Sequence, residues 1–173
     1  MRPWLYLFAG GVLYAVAVGW AAAVLPPSGV VLHFGAGGAA DRFGTRADAV
    51  TLMAALGGFL LGVGALVVLL ARRGSLSLFN VPNKDYWMAP ERRPRLRRML
   101  ANDVARVLGG TLVFLVVVPI WTVMGTGAAE RSVTPVLFWV PLAGFGAALL
   151  VWAGSSMRHR YAVDARSARD RVV

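Results

Sequence analysis

Cysteine is absent from this 173-residue chain, so neither a disulfide scaffold nor a thiolate metal site can be built from it. Charge is scarce as well. Only 15% of residues are charged, where a soluble domain carries about 25%. Acids number eight against eighteen Lys and Arg, and Lys84 is the single lysine beside seventeen arginines. No Walker loop, H-E-x-x-H, G-x-S-x-G or Rossmann glycine pattern occurs, and paired carboxylates suited to acid–base chemistry are not in evidence. The reading is of a protein without catalysis and without a cofactor. What is abundant is apolar surface, with 58% hydrophobic residues and a mean hydropathy of +0.64. A water-soluble fold this small cannot hide so much of it.

The apolar residues fall into four runs free of ionisable side chains: Trp4 to Leu25, Val50 to Ala71, Val107 to Gly127 and Val133 to Gly154. Each is long enough, at a helical rise of about 1.5 Å per residue, to cross a hydrocarbon core of about 30 Å. The runs are continuous rather than alternating, and a helix satisfies its own backbone in lipid. The expected fold is therefore an all-α integral membrane protein of four transmembrane helices. Met1-Arg2, the first run and Ala21-Ala22-Ala23 also read as a signal peptide. The run exceeds the usual ~7–15-residue signal core, so it is taken as a retained span.

Charge distribution gives the orientation. Fifteen of the eighteen basic residues lie in the N-terminus, the 72–106 stretch and the 158–171 tail, whereas Arg42, Arg46 and Arg131 are balanced by Asp41, Asp48 and Glu130. The positive-inside rule then places both termini and the middle loop in the cytoplasm. The net charge of +10 is thereby accounted for by topology, and a nucleic-acid partner is not expected. Trp4 and Trp152 fall at the expected inner interface, and Trp20, Trp121 and Trp139 toward the outer one, as an aromatic belt requires.

The chain divides into a two-span unit (1–72), a polar and basic loop (73–103), a second transmembrane hairpin (104–154) and a tail (155–173). Ala54, Gly58 and Gly62 form a small-residue ridge on the second span, suited to another span of the chain or to a second copy in a homodimer. Pro119 and Pro141 should kink the third and fourth spans. After Pro90, Leu96, Met99, Leu100, Val104 and Val107 recur at helical spacing among Arg92, Arg93, Arg95, Arg97 and Arg98. They read as a short amphipathic helix before the third span, its arginines set among anionic inner-leaflet headgroups. Stop-transfer charge explains the same arginines. The polar tail from Arg158 reads as a solvated end.

Two polar segments hold the candidate sites. The outer loop contains His33, Asp41 and Arg46 between proline and glycine turns. His33 with Asp41 or Asp48 has no second nitrogen or sulfur ligand nearby, so no metal is expected. Asp41, Arg42 and Arg46 are expected to pair with one another. The cytoplasmic loop, 80–93, gathers Asn80, Asn83, Lys84, Tyr86 and Trp87, denser in polar and aromatic groups than a connector needs. It reads as a recognition surface, or else as a loop whose rings anchor at the headgroups.

Pro26, His33, Phe34, Gly38, Asp41, Gly44 and Arg46 stand in a pattern that resembles the membrane domain known as domain of unknown function 1648 (DUF1648). The resemblance covers roughly residues 5–70. Thr45-Arg46 stands where that family commonly has Ser-Lys, which keeps the charge. The form Asn80-x-Pro82-Asn83-Lys84-x-Tyr86-Trp87 is similar to the stretch that follows the domain in some members. The resemblance implies a small bacterial inner-membrane protein, distantly related to the immunity protein against the sporulation-delaying toxin. It further implies a binding, sensing or immunity-like role toward a peptide toxin, a regulator or another membrane protein. The rival expectation is a transporter subunit or lipid-modifying membrane enzyme acting through a cleft near Pro119 and Pro141, and a third is a structural subunit of a larger membrane complex.

Overall fold

The computed structural model describes residues 3–161. Its helices are α1 (Trp4–Val24), α2 (Arg46–Arg73), a single turn α3 (Lys84–Trp87), α4 (Arg93–Phe114), α5 (Val117–Gly127) and α6 (Pro135–His159). Four helical stretches are long and apolar enough to cross a membrane: Trp4–Val24, Arg46–Arg73, Arg93–Gly127 and Pro135–His159. This is the build of a multi-pass membrane protein.

It is not all-α. The loop between α1 and α2 folds into an antiparallel hairpin of β1 (Ser28–Phe34) and β2 (Ala40–Thr45). Val30 and Val31 are both fully buried although adjacent, because the register shifts between Ser28 and Val30 and again on either side of His33. Such bulges turn successive side chains to one face and erase the alternation by which a strand is recognised. Thr45 then starts α2 with a capping box. Its hydroxyl accepts from the Asp48 N–H at 3.1 Å and the Asp48 carboxylate accepts from the Thr45 N–H at 2.8 Å, satisfying two otherwise orphaned donors.

Helices α1, α2 and α4 form the packed body. Gly10 and Gly109 mark the α1–α4 crossing, where a Cβ on Gly10 would fall on the Gly109 carbonyl oxygen and one on Gly109 would fall on that of Tyr6. Only glycine allows so close a backbone approach. Between α1 and α2, the Tyr14 hydroxyl donates to the Met53 carbonyl at 2.9 Å, and Gly57 lies under the Tyr14 ring. The ridge of Ala54, Gly58 and Gly62 takes no part in this packing. All three are exposed, and nothing lies within 4 Å of a Cβ placed on Gly58 or Gly62. The expectation of another span of this chain against that ridge is thereby corrected.

No separate amphipathic helix precedes the third span. Residues 93–107 are the opening turns of α4, and their apolar stripe faces protein. Leu96 and Leu100 are buried in one core with Leu7, Val68, Ala71, Leu76 and Trp87. A second core, at the hairpin end, gathers Tyr14, Val18, Leu25, Val30, Met53 and Leu112. The third span breaks at Leu115–Val116. Pro119 has no N–H for the Leu115 carbonyl and its ring crowds that oxygen, which instead accepts from Val118 N–H at 3.0 Å. Pro141, by contrast, lies within an uninterrupted α6. Of α6 only Ser156 is buried. The helix leans on the body through stacked rings, Phe114 on Phe145 at 4.4 Å and Trp121 on Phe138 at 4.9 Å between centroids.

Candidate functional site

At the hairpin end, three sets of hydrogen bonds tie the polar loop to the helices. Arg46 donates to the Ala22 and Leu25 carbonyls at 3.4 and 3.3 Å, closing the C-terminus of α1, where a cation also suits the helix dipole. Gly38, at φ +81°, accepts through its carbonyl from Val133 N–H at 2.8 Å, and a Cβ there would strike the Val133 oxygen. Val31 N–H donates to the Thr126 hydroxyl at 3.0 Å. The hairpin is thus stitched to both ends of the α5–α6 turn.

The expected pairing among Asp41, Arg42 and Arg46 does not form. Asp41 pairs with His33, Nδ1 to Oδ1 at 2.6 Å, and Arg46 is spent on the α1 carbonyls. The pairing follows from the strand register, which sets His33 opposite Arg42, next to Asp41. An ionised carboxylate only accepts, so Nδ1 carries the proton and a neutral ring leaves Nε2 as an acceptor. Both side chains are more than half exposed (64% and 54%), so the pair meets water. Behind it opens a cavity of about 300 Å³ lined by Leu32, His33 and Phe34 of β1, Leu115 and Val118 at the helix break, and Trp121, Thr122, Phe138 and Leu142 of α5 and α6. The break before Pro119 therefore borders a cleft, and its walls are overwhelmingly apolar.

The basic end is organised around a residue that sequence reasoning counted only as a charge. Asp103, 7% exposed, accepts from Arg160 and from the Tyr161 hydroxyl at 2.8 Å, with Arg106 at 3.6 Å one helical turn away. The Tyr161 carbonyl in turn accepts from Asn83 Nδ2 at 3.1 Å and Trp87 Nε1 at 3.4 Å. Three pieces of chain, α4, the 80–88 segment and the end of α6, are joined by this one network. Arg160 and Tyr161 are consequently part of the folded body, a correction to the solvated-tail expectation, whose remainder from 162 lies outside the described residues. Trp87 is buried to 3%, and it serves as interior cement rather than an open recognition face. Tyr86 stacks under the Arg92 guanidinium at 4.0 Å, Lys84 donates to the Ser77 carbonyl at 3.3 Å, and Asn80 lines a small cleft beside Asp103 and Trp152.

Burial, and then the hydrogen bond to Asp103, pushes the Tyr161 hydroxyl well above its ordinary value near 10. Above that value the folded state holds the proton more tightly than the unfolded chain does. This contribution to stability is complete below pH ~10 and is lost as the pH rises further. Thermal unfolding in detergent should show a steeper alkaline decline for the native chain than for Tyr161→Phe.

The five arginines of 92–98 do not act alike. Arg92 donates to the Tyr86 carbonyl (3.2 Å), Arg93 to that of Met88 (2.7 Å), and Arg97 to those of Ala71 and Gly74 (3.3 and 2.8 Å). Arg95 and Arg98 instead line a pocket with Arg72. Among the described residues no group of His, Asp and Glu is placed to hold a metal. Compared with known proteins, the chain matches no family model, no curated sequence and no solved structure.

Proposed function

We propose that the chain is a bacterial inner-membrane binding protein of the DUF1648 type, with both termini cytoplasmic. In this reading it senses or neutralises an apolar ligand, such as a membrane-active peptide, at the hairpin end. One observation carries the reading: the hairpin holds an exposed His33–Asp41 pair at the rim of an apolar cavity of about 300 Å³. Apolar walls with a few placed polar groups are the usual make-up of a ligand pocket. Transport or lipid chemistry through the same cleft is less favoured, since His33 and Thr122 are its main polar wall residues and carriers keep ionisable groups at membrane depth.

The test is complementation of a deletion strain under challenge with membrane-active peptide toxins. The native chain and Leu150→Trp, whose parent side chain is 76% exposed to the surroundings, should restore survival. Leu142→Trp, which fills the cavity, should lower it toward the deletion level. Unchanged survival of the deletion strain would remove the immunity reading. Equal rescue by both tryptophan variants would remove the cavity from it.

A further inference from the structure

At the opposite end of the bundle lies a cavity of about 540 Å³ lined by Pro3 and Trp4 of the α1 entry, Arg72 of α2, and Arg95, Arg98, Met99 and Asn102 of α4. We infer that it is a discrete binding site for a phosphate-bearing anion, held by Arg72, Arg95 and Arg98.

Two observations carry this. First, the cations are gathered from two helices without compensation. Among the described residues, no carboxylate lies within ion-pair distance of Arg72, Arg95 or Arg98; Glu91 pairs with Arg92, and Asp103 with Arg106 and Arg160. Arg95 and Arg98, three residues apart, share one face of α4, and Arg72 meets them from the last turn of α2. Like charges so placed repel unless an anion sits among them. Second, the neighbouring arginines behave differently. Arg92, Arg93 and Arg97 are committed to loop and helix carbonyls, so the pocket trio is set apart from a general basic surface.

Phosphate suits the trio because guanidinium forks match its oxygens and remain charged at every relevant pH. The shared chemistry is a phosphate group, either on an anionic phospholipid or free in solution. Trp4 and Pro3 add the apolar wall that a lipid's glycerol and first methylenes would cover, and basic pockets between spans hold headgroups in this way. The inference stands apart from the hairpin-end site and needs only that this end of the bundle reach a lipid–water boundary.

The experiment is native mass spectrometry of the full chain released from nanodiscs of phosphatidylglycerol mixed with phosphatidylcholine. The native protein should retain phosphatidylglycerol preferentially. Arg95→Gln/Arg98→Gln should weaken that retention by about tenfold or more, given roughly 1 kcal/mol per basic residue at such a surface. Arg72→Gln, on the other helix, should weaken it in the same direction. Arg73→Gln/Arg158→Gln removes the same charge from exposed positions at the same end and should leave retention unchanged. Helical content and thermal unfolding of each variant establish that it is folded. Displacement of the lipid by millimolar inorganic phosphate would identify a free phosphate as sufficient, and its persistence would identify the lipid headgroup. Either result supports the site. Equal losses in the pocket and control variants, or retention of both lipids alike by the native chain, would overturn it.

Discussion

Asp103→Ala should destabilise the folded protein by roughly 3 kcal/mol, where removing one partner of a buried ion pair costs about 3–5 kcal/mol. The lower part of that range applies, because the side chains of Arg106 and Arg160 are about one-third exposed (32% and 31%) and retain some water once the carboxylate is gone. The loss is also directional. Without Asp103 the Tyr161 hydroxyl and the Arg160 guanidinium lose their acceptor, and this end of α6 is left with the Asn83 and Trp87 hydrogen bonds to the Tyr161 carbonyl and the packing of the Tyr161 ring. Proteolysis near residue 160 should therefore accelerate more than global unfolding does. Asp103→Asn keeps an acceptor for the Tyr161 hydroxyl and should recover part of the stability. Unfolding in a denaturing detergent, followed by circular dichroism, reads both variants. Unfolding of Asp103→Ala indistinguishable from the native chain would show that the network is ornamental.

Gly109→Leu should have an effect of similar or greater size. The Cβ meets the Tyr6 carbonyl, which is backbone and cannot swing aside, so α1 and α4 must separate along the crossing where Gly10 faces Gly109. Over-packing a tight core costs typically 1–3 kcal/mol, occasionally more. A bundle with no hydrophobic drive between its helices depends on close packing for its association. Gly58→Leu and Gly62→Leu introduce the same bulk on the outward face of α2, where nothing lies within 4 Å, and should leave the monomer's unfolding unchanged. The pair of results separates the glycines that hold this fold from those that merely form a motif.

That contrast shows where sequence reasoning reaches and where it stops. The four spans were legible because uncharged runs of this length have one stable form in lipid, and the run boundaries fall within a few residues of the helix ends except at α4. There the helix starts fourteen residues before Val107, because an arginine-rich stretch with a periodic apolar stripe can pack on protein as readily as on a leaflet. Pro119 was legible as a break, whereas Pro141, in an unbroken α6, was not distinguishable from it. Small-residue spacing drew attention to Gly58 and Gly62, yet the close approaches are at Gly10, Gly57, Gly64 and Gly109. Which glycine faces a neighbour depends on helix rotation, and spacing alone does not report it.

The hairpin-end site was legible as residues and not as geometry. His33, Asp41 and Arg46 were singled out, but their partners depend on a strand register disguised by bulges at Val30, Val31 and His33. Of the basic-end network, Asn83 and Trp87 were singled out, but Asp103, Arg160 and Tyr161 were not. Asp103 lies 57 residues from Arg160, and no local pattern links an acid on one span to the end of another. A signal did exist: an acid embedded in the apolar stripe of α4, between Leu100 and Val107, requires a partner when that stripe is buried.

The account rests on the bundle crossing a bilayer with its hairpin on one side and its arginine-rich end on the other. Because the chain has no cysteine, single cysteines report without background from the protein itself. Ala36→Cys at the exposed hairpin tip and Ser77→Cys in the exposed basic-end loop should be labelled by a membrane-impermeant maleimide on intact spheroplasts in one case only. The expected result is labelling of Ala36→Cys in intact cells and of Ser77→Cys only after lysis. Labelling of Ser77→Cys in intact cells, or of both positions alike, would contradict it.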